Sequence, residues 1–282
     1  MPKYAGWSST SSSPPCCFSR ATTRRPSRAR SCPSRATSSV ELGGRRALVT
    51  GAGRRVGQAI AVGLARAGCD VAVHYHGSAA GAGETVERIR AAGRRAELVR
   101  ADLRDAAVAR ALPDQAARAL GGLDILVNSA GVMREQRVED VTPQGWDETL
   151  DLNLRAYFFV AQGAIPHLRR TKGRIVNLAD EAAFEVWPGY VPHCVSKAGV
   201  VMLTKGLARV LAPDITVNAV APGAVLPPDA WDDAARQRLA RTTPLRRLGS
   251  PDDVVRAVRY LLEGGDYVTG TTVVVDGGRL IR

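Results

Sequence analysis

No run of eighteen or more apolar residues occurs in the 282-residue chain, so no membrane-spanning helix is expected. Five cysteines, at positions 16, 17, 32, 69 and 194, form neither a CxxC pair nor a metal-ligand spacing. No metal site is expected. The pattern fits a reduced intracellular protein with Cys69 and Cys194 as small buried hydrophobes. Acidic residues are absent from positions 1–40, which hold Lys3, Arg20, Arg24, Arg25, Arg28, Arg30 and Arg35. More than half of the +12 net charge therefore sits in that segment. A nucleic-acid binder concentrates basic charge and aromatics on its folded part, so no nucleic-acid partner is expected.

Residues 1–40 also lack any apolar period and are rich in Ser, Thr, Pro and Arg. Such a segment cannot offset its ordering entropy, and a disordered tail is expected. Its composition fits an organelle transit peptide, or upstream sequence translated from a misplaced start codon. A secretory signal is not expected, because no apolar h-region exists. The cytoplasm is the expected location, with organelle import through residues 1–40 left open.

After Glu41, short apolar strands alternate with helical segments. "RRALVT" (45–50), "DVAVHYH" (70–76), "AELVRAD", "LDILVNSAG", "GRIVNLA", "ITVNAVAPG" and "GTTVVVDGG" read as strands. They are nearly continuously apolar, as strands covered on both faces must be. Helical spacing fills the intervals. Pro113 is expected to kink or divide one helix, and residues 143–170 form one long helical region. The predicted fold is a single doubly wound, Rossmann-type α/β domain over 41–282, with a parallel sheet of about seven strands.

"TGAGRRVG" (50–57) lies between the first strand and the first helix. Gly51 can make the tight turn, and Gly57 can let helix and strand pack closely. Backbone N–H groups at the helix start, including that of Val56, would hold a pyrophosphate. The second strand ends "HYHGSA", without the acid that usually binds the ribose of NAD. Arg54, Arg55, His76 and Ser78 instead suit a 2′-phosphate. Cations at a helix N-terminus oppose its dipole unless an anion is present. NADP(H) is the expected cofactor.

The pieces "TGAGRRVG", "ADL" (101–103), "NSAG" (128–131), Asn153, the xxxxK site at 193–197, "NAVAPG" (218–223) and "VTGTTVVVDGG" appear in the order of the short-chain dehydrogenase/reductase family, which the chain resembles from about Leu42 onward. The resemblance implies that Asp102 and Leu103 border the adenine. It implies that Asn128, Ala130 and Gly131 line the cofactor behind the nicotinamide, that Pro222 and Gly223 close over the carboxamide, and that Lys197 holds the nicotinamide ribose. A homodimer or homotetramer is implied through the long helices at 143–170 and 195–211. A narrower likeness is to the pteridine reductases. It rests on Arg55 in the turn, the "HYH" run, and Asp180 where most relatives carry a serine.

The family's catalytic tyrosine is replaced here by His193. Asn153, Asp180, His193 and Lys197 are the candidate catalytic residues; Met133, Phe184, Trp187 and Tyr190 are candidates for the substrate wall. His193 and Lys197 are one helical turn apart and share a face. Imidazolium is a competent acid, with an ordinary pKa of about 6.5 against about 10 for tyrosine. Two readings follow. One is an NADPH-dependent reductase of a small carbonyl or pterin-like C=N substrate. The other is an impaired NADP(H)-binding protein acting as a redox sensor or oligomer partner, because losing a general acid costs about 10²–10⁴ in rate. Tyr190 or water stands as an alternative proton donor.

Overall fold

The structure, a computed structural model, describes residues 42–227, 232–265 and 267–281. The expectation of a disordered tail over 1–40 lies outside these residues. Seven parallel strands make one sheet in the order β3-β2-β1-β4-β5-β6-β7. They are β1 (Arg46–Val49), β2 (Asp70–Tyr75), β3 (Ala96–Arg100), β4 (Ile125–Asn128), β5 (Arg174–Leu178), β6 (Thr216–Pro222) and β7 (Thr272–Val275). The predicted doubly wound sheet is therefore observed.

Alternation along each strand feeds two cores. In β1, Ala47 and Val49 join the apolar cluster beneath α1 (Arg55–Arg66), α2 (Ala79–Ala91) and α8 (Pro251–Glu263). Leu48, between them, points to the opposite cluster beneath α3 (Ala106–Leu120), α5 (Ala156–Thr171) and α6 (Val191–Leu211). Burying both strand faces leaves the carboxyl ends of the strands as the open edge, and the order reverses between β1 and β4. A crevice at that switch point is where such sheets bind ligands. The remaining helices are α4 (Pro143–Leu150) and α7 (Asp233–Thr242).

Two local expectations are corrected. Pro113 does not divide its helix; α3 runs unbroken through it. Its fixed φ is a helical one, and α3 packs closely on Gly163 of α5 at this point. The region 143–170 is not one regular helix either. A π-helical turn at Asp151–Arg155 separates α4 from α5. Single π turns interrupt α-helices frequently at functional sites, and this one carries Asn153. Cys69 is fully buried as expected, whereas Cys194 is only partly so. Among the described residues no helix is long and apolar enough to cross a membrane, and no cluster suits a metal ion.

Candidate active site

Gly51 leaves β1 with φ 65°, a left-handed conformation that glycine alone adopts without cost. A Cβ there would lie 2.8 Å from Ala130 Cα, and one on Gly57 would lie 2.3 Å from the Gly51 carbonyl oxygen. The turn, the start of α1 and the end of β4 can meet only because both residues are glycine. Helix α1 begins with no side-chain cap and no acid in its first turn. Its backbone N–H groups are thus open to an anion.

The turn opens onto a cavity of about 640 Å³. Gly51, Arg54, Arg55, Val56, His76, Ser78, Asp102, Leu103, Ala130 and Gly131 all line it. Among the described residues no carboxylate pairs with Arg54 or Arg55; Arg55 donates to the Leu226 carbonyl. Asp102 is engaged by Arg104 at 2.6 Å, and that bond holds its carboxyl down to about 2. At the other end of the cavity Arg134 pairs with Glu148 at 2.6 Å.

Asn128 does not reach the cavity. It is buried beneath it and donates to Asn177 Oδ1 at 3.0 Å, joining β4 to β5. Its side chain turns inward, and Ser129 and Ala130, just beyond the end of β4, line the wall. Pro222 and Gly223 stand at the end of β6, outside the cavity wall, with Gly223 packed on Glu181 and Asp276.

Beyond Gly131 the four candidate catalytic residues converge. Asn153, fully buried on the π turn, accepts the Val132 N–H at 2.8 Å and donates to the Val132 carbonyl at 2.9 Å. Its amide also donates to Ser196 Oγ at 3.1 Å. Lys197 is buried and donates to the Leu178 carbonyl at 2.8 Å. Burial lowers its ammonium to about 8, with the charge of Asp180 opposing. Asp180 caps a short 3-10 turn by accepting the Ala182 N–H through Oδ1, which leaves Oδ2 facing His193.

His193 is 4% exposed. Its Nδ1 lies 3.2 Å from the Val132 carbonyl and 3.4 Å from the Asn153 amide nitrogen. A carbonyl only accepts and an amide nitrogen only donates. The shorter contact assigns a proton to Nδ1, donated to Val132. Nε2 then has no hydrogen bond and faces Asp180 Oδ2 at 3.5 Å. Trp187 lies parallel to the imidazole, with centroids 6.2 Å apart.

Tyr190 does not point at this cluster. Its hydroxyl donates to Glu135 at 3.0 Å, and burial with that carboxylate pushes the phenol above its ordinary value. It is poorly placed as a proton donor. Trp187 stacks edge-on against it at 5.9 Å. Met133 and Phe184 are about half exposed nearby.

Two features escaped the sequence reading. Glu181, next to Asp180 and 2% exposed, pairs with Nε of Arg279 at 3.2 Å and ties the C-terminal segment to the loop after β5. Burial pushes its carboxyl up to about 7 against the pull of Arg279. His74, the first histidine of "HYH", is also buried, and its ring joins three strand ends.

Comparison with known proteins agrees with this geometry. A family model described as enoyl-(acyl carrier protein) reductase matches residues 51–279. The 3-oxoacyl-[acyl-carrier-protein] reductase FabG of Staphylococcus aureus is 39% identical over 237 residues, covering 82% of this chain and 96% of that protein. The 3beta-hydroxysteroid dehydrogenase 1 of Eggerthella lenta is 37% identical, covering 84% and 94%. Among solved structures, a dehydrogenase/reductase from Sinorhizobium meliloti has a TM-score of 0.80 at 40% identity, covering 86% of this chain and 98% of that one. A gluconate 5-dehydrogenase from Burkholderia cenocepacia, solved with NADP and tartrate, has a TM-score of 0.80 at 32% identity, covering 88% and 99%. With its sheet, its glycine turn and relatives matched over nearly their whole length, the chain belongs to the short-chain dehydrogenase/reductase family of oxidoreductases.

Proposed function

We propose that the protein is an NADPH-dependent reductase that delivers hydride to a carbonyl or C=N carbon of a small molecule, with His193 as the proton donor. The observation that carries this reading is the unpartnered Nε2 of buried His193, set beside Asp180 while Nδ1 is fixed on Val132. An orphaned buried polar atom is costly unless a ligand completes it. NADPH, when bound, supplies the hydride. The chain's own residues do the rest.

The open N–H groups of α1 and the unpaired Arg54 and Arg55 suit a pyrophosphate and a 2′-phosphate. Lys197 spends one N–H on Leu178 and keeps two for ribose hydroxyls. A proton carried on Nε2 would face Asp180 Oδ2 at 3.5 Å. After transfer, neutral imidazole keeps its Nδ1 proton on Val132 and no group has to move. This intact set of bonds weighs against a disabled site. Pterin-like substrates fall within the proposed class, and the flat face of Trp187 suits a planar one.

The same reading includes assembly as a dimer or tetramer in the cytoplasm. Phe158 on α5 and Val195, Met202 and Val210 on α6 are exposed apolar side chains. The test is a scan of ketones, quinones and dihydropterins that follows NADPH absorbance. Substrate-dependent oxidation that disappears in His193→Phe is expected. NADPH binding without turnover on any of these substrates would overturn the reductase reading.

A further inference from the structure

His74 sits one residue beyond the last β1–β2 pair, Val49 with Val73, and is 2% exposed. Its Nδ1 accepts the N–H of Gly51 at 3.0 Å. Its Nε2 lies 3.2 Å from the carbonyl oxygen of Ala101. An N–H pointing at Nδ1 requires a lone pair there, so the ring is the neutral Nε2–H tautomer and donates to Ala101. The His74 carbonyl also accepts the Ala52 N–H at 2.9 Å. One residue of β2 thus grips two consecutive amides of the turn after β1 and the residue after β3.

We infer that His74 is a positioning residue for cofactor binding, a clamp that fixes the phosphate turn and the adenine wall relative to one another. Gly51 holds φ 65° and gives its N–H to the His74 ring, which itself forms part of the cavity wall. The N–H groups further along the turn are thereby left to face the ligand. Ala101 immediately precedes Asp102 and Leu103, which line the cavity. His76 and Ser78 follow His74 on the same strand end, so the clamp also sets their distance from Arg54 and Arg55. The inference rests on the reading of this cavity as the NADP(H) site, but the clamp itself is a property of the free protein.

Two substitutions separate the parts of the ring. His74→Asn keeps an acceptor near the Nδ1 position and loses the bond to Ala101. His74→Leu keeps the bulk and loses both bonds. Amide hydrogen exchange of the 50–57 segment without cofactor reads the clamp directly. Exchange should rise at least about tenfold in His74→Leu and stay near wild type in His74→Asn. NADPH affinity by calorimetry should follow the same order, weakened about tenfold or more in His74→Leu, with the loss falling on cofactor KM rather than on kcat. The ¹⁵N signature of the wild-type ring should be that of the Nε2–H tautomer.

Unchanged exchange in His74→Leu, or an Nδ1–H tautomer, overturns the inference even where one variant fails to fold. Equal NADPH affinity in all three proteins overturns its functional part. Failure of wild type to bind NADPH, with exchange ordered as expected, overturns the cofactor reading and the functional part together and leaves the clamp standing.

Discussion

Nε2 of His193 faces Oδ2 of Asp180 at 3.5 Å, while the opposite ring nitrogen is held on the Val132 carbonyl at 3.2 Å. The two nitrogens therefore have separate tasks. Nδ1 fixes the ring plane and the tautomer, and in the proposed function Nε2 is the atom that would carry the transferred proton. Trp187 lies parallel to the ring, with centroids 6.2 Å apart.

This division predicts the behaviour of position 193. His193→Phe should lower turnover by about 10²–10⁴ and leave NADPH affinity nearly unchanged. His193→Tyr should keep or raise turnover, because Asn153 and Lys197 already stand where a tyrosine would need them. Steady-state rates and calorimetry on the three proteins test these statements. A fully active His193→Phe enzyme would assign the proton to water instead.

Lys197 predicts a conflict between stability and function. Burial lowers its pKa from 10.5 to about 8, so the folded state binds the proton less well than the unfolded chain. The penalty is fully present below pH 8 and fades as pH climbs from 8 toward 10.5. Lys197→Met should abolish turnover yet stabilise the protein by roughly 1–3 kcal/mol at pH 7, after allowing for the lost bond to Leu178. Urea denaturation at pH 7 and pH 9.5 should show that gain shrinking. A variant less stable than wild type at pH 7 would contradict the argument.

The strands, the glycine turn and most of the cavity wall were legible in the sequence because each rests on local chemistry. β-Branched runs report burial on two faces, and Gly51 and Gly57 report a close backbone approach. What remained hidden depends on segments far apart in the chain. The π turn at 151–155 forms around the two bonds of Asn153 to Val132, and no local propensity signals it. The inward turn of Asn128 follows from its pairing with Asn177 of β5. "HYH" marked His76 by its position at a strand end. The destination of the His74 ring becomes visible only when three strand ends meet.

Cofactor choice should follow Arg55. Its φ of 53° lies in the left-handed region, where a side chain costs roughly 1 kcal/mol relative to glycine. Arg55→Gly should therefore keep or raise the melting temperature. It should also weaken NADPH by about tenfold or more and leave NADH little changed. Calorimetry with both cofactors is the check, and parallel losses for the two would remove the 2′-phosphate from the argument.

The apolar face of α6 predicts assembly. Met202 and Val210 are 66% and 67% exposed, and eight residues apart they share one side of the helix. A Met202→Glu/Val210→Glu double variant should shift the protein to a smaller species in light scattering at micromolar concentration, with secondary structure intact. A wild-type monomer would end this proposal.

His74 gives the acid side of the stability curve. Burial lowers its pKa from 6.5 to about 4, so the folded state resists protonation that the unfolded chain accepts. Its contribution is complete above pH 6.5 and is lost as pH falls from 6.5 to about 4, by up to roughly 3 kcal/mol. Protonation would also place an N–H of the ring against the N–H of Gly51 and break the clamp. His74→Asn keeps an acceptor that does not titrate in this range. It should start about 1 kcal/mol less stable at pH 7.5, having lost the bond to Ala101, and then lose less than wild type on acidification. Denaturant midpoints at pH 7.5, 6, 5 and 4.5 should show the two curves meeting and then crossing as pH falls. Parallel curves would show that the acid lability of the fold lies elsewhere, with the paired carboxylates Asp124 and Asp253 as the next groups to test.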